Sequence, residues 1–322
     1  MSYMTKDDLC PLLLPRHMRY RLYESGAEDA NEASAAGSSY ITEVVAVRKR
    51  WDCIPVFNCQ SASEKLSEDT ESRSIPTWIP GFDALLNGGI PAGKIFEVTG
   101  LPGSGKTQFC LQVAASNQIL GHCTVYISTK AQFTKARYAD ILNGMLARQS
   151  RSPSPETDIQ RSLLHRTCNT WTDLVAAVTY LLHQMDEPPS SQVTLVIIDG
   201  FDFHFRYAVD DLTLRRRLIA SMSQKLVSLA NKGVALLLTN HVAMKTSAQS
   251  GSGFKLAPAL GEIFGHECAY RVTFFVKDGY YEASFFKAPT FGPISLKFDV
   301  TSTGIVDTDL LSDMDAIFST SS

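Results

Sequence analysis

The sequence predicts an α/β fold: a mostly parallel central sheet flanked by helices, an antiparallel C-terminal extension and a small N-terminal appendage. Three observations predict it. From Ile75 onward, short apolar runs alternate with longer amphipathic ones, as buried parallel strands alternate with the helices that cover them. A G-x-x-x-x-G-K-[ST] loop, Gly100 to Thr107, joins the first strong strand to the first strong helix. Near the C-terminus strands follow one another without helices, around an Asp278-Gly279 dipeptide of the hairpin-turn type.

Residues 1–74 read as a small helical region and linker. Pro11 to Asp29 suits one or two short helices, and the small residues EASAAGSS follow. Ile41 to Ile54 has helix-like spacing and stops before Pro55. SASEKLSEDTESRS, Ser61 to Ser74, is polar and charged and reads as a linker, so the second domain is placed at 75–322.

Within that domain IFEVTG, Ile95 to Gly100, is a buried strand and Gln108 to Leu120 a helix. CTVYIS, Cys123 to Ser128, is a strand, and a helix spans roughly Thr134 to Ala147. Arg148 to Asp158 is a charged Ser/Pro loop, followed by a short strand, Leu163 to Cys168. Thr170 caps a helix whose apolar face is Leu174, Val175, Val178, Leu181, Leu182 and Met185. TLVIID, Thr194 to Asp199, is an apolar strand ending in an acid. The helix from Asp210 to Asn231 buries Leu218, Ile219, Met222, Leu226 and Leu229, and Val234 to Asn240 is a further buried strand. Two or three more strands are expected around Tyr270 to Val276, Tyr281 to Lys287 and Ile294 to Val300. There is no internal repeat.

Composition narrows the class. The chain has 322 residues, 44% hydrophobic and 20% charged, which suits one large domain or one large and one small. A net charge of −3 excludes a strongly basic whole-surface nucleic-acid binder but leaves room for a local basic groove. Cysteines at 10, 53, 59, 110, 123, 168 and 268 are odd in number and lack C-x-x-C spacing. They read as reduced thiols of an intracellular protein, outside any zinc site or disulfide framework. The opening MSYMTKDDLC is acidic and polar, unlike a secretory signal, and no apolar run approaches a membrane span.

The chemistry begins at the glycine loop. Gly100, Leu101, Pro102, Gly103, Ser104, Gly105, Lys106, Thr107 and the following Gln108 form the expected phosphate cradle. Glycines let backbone N–H groups approach a triphosphate, and the helix N-terminus adds positive potential. Lys106 is expected on the β and γ phosphates and the Thr107 hydroxyl on Mg²⁺. Asp199, ending an apolar strand, is the expected acid for the Mg²⁺ hydration shell, a strand-end turn residue being the plainer reading.

Two longer series carry a resemblance. IPGFDALLNGGIPAGKIFEVTGLPGSGKTQ and IIDGFDFHFRYAVDDLTLRRRLIASMSQKLVSLANKGVALLLTNHV resemble the RecA-like core of eukaryotic strand-exchange recombinases. DGFDFHFR, DDLTLRRRL, SLAN and APALGEIFGH look most like the C-type paralogue branch of that family. The resemblance covers about Ile75 to Asp307, and Pro15 to Ala30 reads as a shortened relic of the family's N-terminal helical domain.

It implies a RecA-like P-loop core binding ATP and Mg²⁺, with a nuclear role in homologous recombination, double-strand break repair and meiosis. The implied partners are other recombinase paralogues, the recombinase itself and single-stranded DNA. It also implies that Arg137 stacks on adenine, a helix-surface arginine being the other reading. The first DNA-binding loop falls at about Gly200 to Leu214 and the second at Ala243 to Leu260. The Ser/Gly content of the second loop independently suggests mobility without DNA. Arg206, Lys245 and Lys255 are the candidate DNA-phosphate cations, ordinary surface charge being the other reading. Arg215, Arg216 and Arg217 cannot share one helix face, and at least one is expected to pair with a carboxylate.

The departures matter as much. Where the family has an acid, threonine and the glutamate that positions the attacking water, this chain reads Ser128, Thr129, Lys130. A charged lysine cannot accept the water's proton, but it can set a cation near the γ-phosphate. Where the family has a sensor glutamine, this chain has His241, which can still hydrogen-bond a phosphate. The expected function is ATP binding with weak or absent hydrolysis. An active DNA-dependent ATPase, a P-loop kinase or transferase, and an interaction protein with a vestigial site are the alternatives.

Overall fold

The structure is a computed structural model. It describes residues 74–130, 133–149, 162–185, 193–246, 254–277 and 279–308. The chain divides between Thr70 and Glu71, and the described residues lie in the second unit. The expected N-terminal helices, the loop at 148–158 beyond Gln149, and Cys10, Cys53 and Cys59 lie outside the described residues.

A short strand β1 (Ser74–Ile75) pairs antiparallel with β2 (Ile90–Pro91) around helix α1 (Pro80–Leu85). Then follow β3 (Ile95–Gly100), α2 (Lys106–Ile119), β4 (Cys123–Ser128), α3 (Lys135–Arg148), β5 (Leu163–Thr167) and α4 (Trp171–Gln184). Next come β6 (Val193–Asp199), a short α5 (Phe203–Tyr207), α6 (Leu212–Ala230) and β7 (Ala235–Asn240). A hairpin β8 (Val242–Thr246) and β9 (Phe254–Pro258) leads to α7 (Gly261–Glu267). Strands β10 (Tyr270–Lys277), β11 (Tyr280–Lys287), β12 (Ile294–Thr301) and β13 (Gly304–Asp307) complete the order.

Nine strands form one sheet in the order β13-β12-β11-β10-β3-β7-β6-β4-β5. Neighbours from β10 through to β5 pair parallel. Strands β11, β12 and β13 continue it antiparallel. The expected antiparallel extension therefore hangs on a tenth strand that itself runs parallel to β3. It also ends in one more strand, β13, whose four residues carry too little pattern to register.

The central strands read as continuous apolar runs because both faces are covered. Side-chain alternation divides them between two cores. Leu195 and Ile197 of β6 face one core with Phe82, Phe109, Ile141 and Phe274. Val196 and Ile198 face the other with Leu174, Met222, Leu226 and Phe264. Helices α1, α2 and α3 thus cover one face and α4, α6 and α7 the other. Phe82 anchors the first, its ring 5.3–6.3 Å from those of Phe109, Phe274, Phe285 and Phe298. The sheet fixes the functional geometry: β3, β4, β6 and β7 all point their carboxyl ends to one edge, where ligands of open α/β sheets bind.

Candidate nucleotide-binding site

A cleft of about 530 Å³ opens at that edge, between the loop from Gly100 to Gly105 and the ends of β6 and β7. The loop needs its glycines. Gly103 and Gly105 have φ of 82° and 93°, the left-handed region that side chains disfavour. At Gly100 an added Cβ would lie 2.5 Å from the Phe274 carbonyl oxygen. Gly105 then caps the N-terminus of α2, so the first N–H groups of that helix face the cleft.

Lys106, the first residue of α2, donates its Nζ to the Gly100 and Leu101 carbonyls at 2.9 and 2.8 Å. Among the described residues no carboxylate lies within ion-pair distance of it. Burial pushes its pKa down, while the charges of Asp199 and Asp202 oppose the shift. Thr107 donates its hydroxyl to Asp199 Oδ2 at 2.9 Å. Asp199 also accepts from the Tyr126 hydroxyl at 2.9 Å and, on Oδ1, from Thr239 at 2.6 Å. Thr239 in turn accepts from the Gly200 amide at 2.7 Å. Three hydroxyls from three elements therefore fix one carboxylate beside the loop.

These residues fit a nucleoside triphosphate with Mg²⁺. Lys106 is satisfied by neutral carbonyls, which an anion can replace with charge-assisted bonds. Ser104 Oγ, inside the loop, is buried without a hydrogen-bond partner among the described residues. Thr107 and Asp199 offer hard oxygens, the ligands Mg²⁺ takes when phosphates supply the rest. Among the described residues no group of three or more His, Cys, Asp or Glu could hold a metal by itself.

A second chain of contacts crosses the cleft. Lys130 Nζ lies 3.3 Å from His241 Nε2, and His241 Nδ1 lies 2.8 Å from Asp202 Oδ1. A carboxylate accepts, so Nδ1 carries the proton and Nε2 accepts from Lys130. Asp202 is fully buried; its other oxygen pairs with Arg206 at 3.3 Å. Its amide donates to Asn240 Oδ1 at 3.0 Å, and Asn240 Nδ2 donates to Glu97 Oε1 at 2.6 Å. Lys130 also sits over the Phe203 ring, 4.4 Å from its centroid.

Of the other expected site residues, Arg137 and Gln108 share the cleft, and the candidate DNA cations lie elsewhere. Arg137 lines the cleft, donating to Gln108 Oε1 at 2.6 Å, to the Thr301 carbonyl at 2.7 Å and to the Ser302 carbonyl. Its guanidinium thus ties the loop helix to the β12–β13 turn. Arg206 is engaged by Asp202 and lies over Tyr207, so it is not a bare surface cation. Lys245 and Lys255 occupy opposed register positions of the β8–β9 hairpin. The segment Ala243 to Leu260, expected to hold the second DNA loop, contains this hairpin: both arms are strands, and its tip, 247–253, lies outside the described residues. The segment Gly200 to Leu214, expected to hold the first DNA loop, contains the short α5 and the first residues of α6. Among the described residues Arg215 pairs with no carboxylate. Its guanidinium donates to the Val209 carbonyl at 2.6 and 3.0 Å and reaches the Arg206 carbonyl at 3.4 Å.

Four residues at the site escape a reading by motif: Tyr126, Thr239, Asn240 and Asp202. Each carries a signal nonetheless. Tyr126 is a phenol within an apolar strand, Thr239 and Asn240 end a run of three leucines, and Asp202 repeats an acid three residues after Asp199.

A family model described as Rad51 matches residues 71–308. A protein named DNA repair protein RAD51 homolog 3 from Cricetulus griseus is 32% identical over 268 residues, 77% of this chain and 72% of that protein. Its namesake from Dictyostelium discoideum is 27% identical, covering 73% of this chain and 66% of its own length. DNA repair protein RAD51 homolog 4 from Mus musculus is 27% identical, covering 86% and 85%.

Proposed function

The chain belongs to the Rad51 family, and from that premise we propose that it is an ATP-binding recombinase paralogue of homologous recombination and double-strand break repair. It binds ATP with Mg²⁺, hydrolyses it weakly or not at all, and assists recombinase filaments on single-stranded DNA in the nucleus. Its partners are other paralogues and the recombinase. The names of its relatives, all DNA repair proteins, support the process. The observation that carries the nucleotide reading is the 2.9 Å bond between Thr107 and Asp199 beside a glycine cradle that presents Lys106. On this reading residues 100–108 hold the phosphates, Thr107 and Asp199 hold Mg²⁺, and Arg137 faces the base. Bound Mg²⁺ would neutralise phosphate charge.

Weak hydrolysis follows from the proton inventory. Lys130 carries a proton already, and His241 Nε2 accepts from Lys130. Asp202, the nearest acid beyond them, is buried behind the ring. Among the described residues no base stands ready for an attacking water, a loss that typically costs about 10²–10⁴ in rate.

Calorimetric titration with ATP and Mg²⁺ tests the site. Lys106→Ala is expected to weaken binding by about tenfold or more, since each charge-assisted bond is worth about 1.5–3 kcal/mol. Equal affinity in wild type and variant would sink the reading. Turnover with single-stranded DNA tests the rest: rates matching an active recombinase under the same conditions would contradict the assignment of Lys130.

A further inference from the structure

Lys130 lines the same cleft as Lys106 and Thr107, yet among the described residues its partners carry no charge. They are the neutral His241 imidazole at 3.3 Å and the face of Phe203 at 4.4 Å. The nearest carboxylate in the contact chain, Asp202, is one ring away and already bonded to His241 and Arg206. The Lys106 ammonium feels the second cation, which is one of the causes lowering its pKa. Two lysines thus converge on a cleft where Asp199, the acid among its described lining residues, is taken up by three hydroxyls.

The backbone just before Lys130 is tied to the end of β6. The preceding Thr129 bonds through its amide to the Asp199 carbonyl at 3.1 Å and through its hydroxyl to the Gly200 carbonyl at 2.8 Å. A cation on a flexible stem with a tethered root, parked on an uncharged acceptor, can pass to an anion at small reorganisation cost.

We propose that Lys130 is a second lysine ligand, from the same chain, for the terminal phosphate of a bound nucleoside triphosphate, with His241 as its uncharged rest. This deepens the nucleotide reading and rests on it. Its consequence is specificity: a diphosphate lacks the group that Lys130 takes, so the lysine favours triphosphate over diphosphate. Retention of an unhydrolysed triphosphate and absence of a general base become two effects of one side chain.

The test is the ratio of affinities for ADP and for a β,γ-imido ATP analogue, both with Mg²⁺, measured by calorimetry on the full chain. Lys130→Gln is expected to lower the preference for the triphosphate by about tenfold or more, leaving diphosphate affinity within about threefold. Lys130→Arg, which keeps the charge, is expected to keep most of the preference. Lys130→Met, which keeps the stem against Phe203, replaces Lys130→Gln if the amide variant loses its thermal unfolding transition, and the same ratio decides. An unchanged ratio, or equal loss for both nucleotides in a folded variant, overturns the proposal alone. A wild-type chain that binds neither nucleotide overturns it together with the nucleotide reading.

Discussion

Glu97 is a carboxylate in the middle of a buried strand, fully enclosed, and Arg271 explains how it survives there. The Arg271 guanidinium donates to Glu97 Oε2, and Asn240 donates to Oε1. Both partners are 5% exposed or less, so water cannot take over if one is lost. Such a pair contributes little against an apolar replacement of both, but removing one partner strands a buried charge. Arg271→Met is therefore expected to cost about 3–5 kcal/mol, a large part of a domain's usual stability. Glu97→Gln combined with Arg271→Met is expected to recover part of it. Urea unfolding checks both; a single variant no less stable than the double would contradict the argument. The pair matters beyond stability because Asn240 also receives the Asp202 amide, which sets the acid behind His241.

At the scale of elements, helix α4 shows how a local rule is realised. Thr170 accepts from the Asp173 amide at 3.1 Å, and Asp173 accepts from the Thr170 amide at 3.0 Å, a complete capping box. Thr170→Ala is expected to cost about 1 kcal/mol, read as a lower urea midpoint with unchanged slope. The Thr170 hydroxyl, with the amides of Thr170 and Asn169, holds the Asp173 carboxyl below its ordinary 3.8. A depressed carboxyl stabilises the fold above the unfolded pKa and loses that contribution as pH falls through the folded one. Asp173→Asn should therefore flatten the acid limb of the stability curve while leaving its neutral plateau lower; an acid limb as steep as the wild type's would count against the cap. This helix was legible because cap and apolar face are both local patterns. Strands β3, β4, β6 and β7 were legible for a similar reason: enclosure on both sides leaves uninterrupted apolar runs. The β8–β9 arms were not, since VAMKT and FKLAP alternate poorly and the Ser/Gly tip between them dominates the composition. At the site, Lys106, Thr107 and Asp199 follow from spacing, whereas Tyr126, Thr239 and Asp202 act through distances between strands that no spacing encodes. Lys130 was visible as a departure, but its seat on His241 required the fold.

For the molecule as a whole, the question is how a chain of net charge −3 would engage a polyanion. The fold places a hairpin directly after the strand that ends in the cleft. His241 both lines that cleft and precedes β8, and its carbonyl accepts the Ala259 amide at 3.0 Å, closing the hairpin's base. Across the hairpin Lys245 and Lys255 stand opposite each other in register. The arms VAMKT and FKLAP each carry one lysine. Binding of single-stranded DNA is therefore expected to use few cations and to be only modestly salt-dependent. Each neutralised phosphate contributes a slope of roughly −0.7 in log affinity against log salt, so these two lysines together contribute about −1.4. Lys245→Ala with Lys255→Ala is expected to weaken binding of a labelled oligonucleotide and to reduce the slope by about that amount, with thermal unfolding unchanged. Fluorescence anisotropy across a salt series in the presence of ATP and Mg²⁺ supplies the measurement. A slope identical to the wild type's would place the phosphate contacts elsewhere on the chain. A lower affinity with the slope preserved would mean that the two lysines shape the hairpin and touch no phosphate.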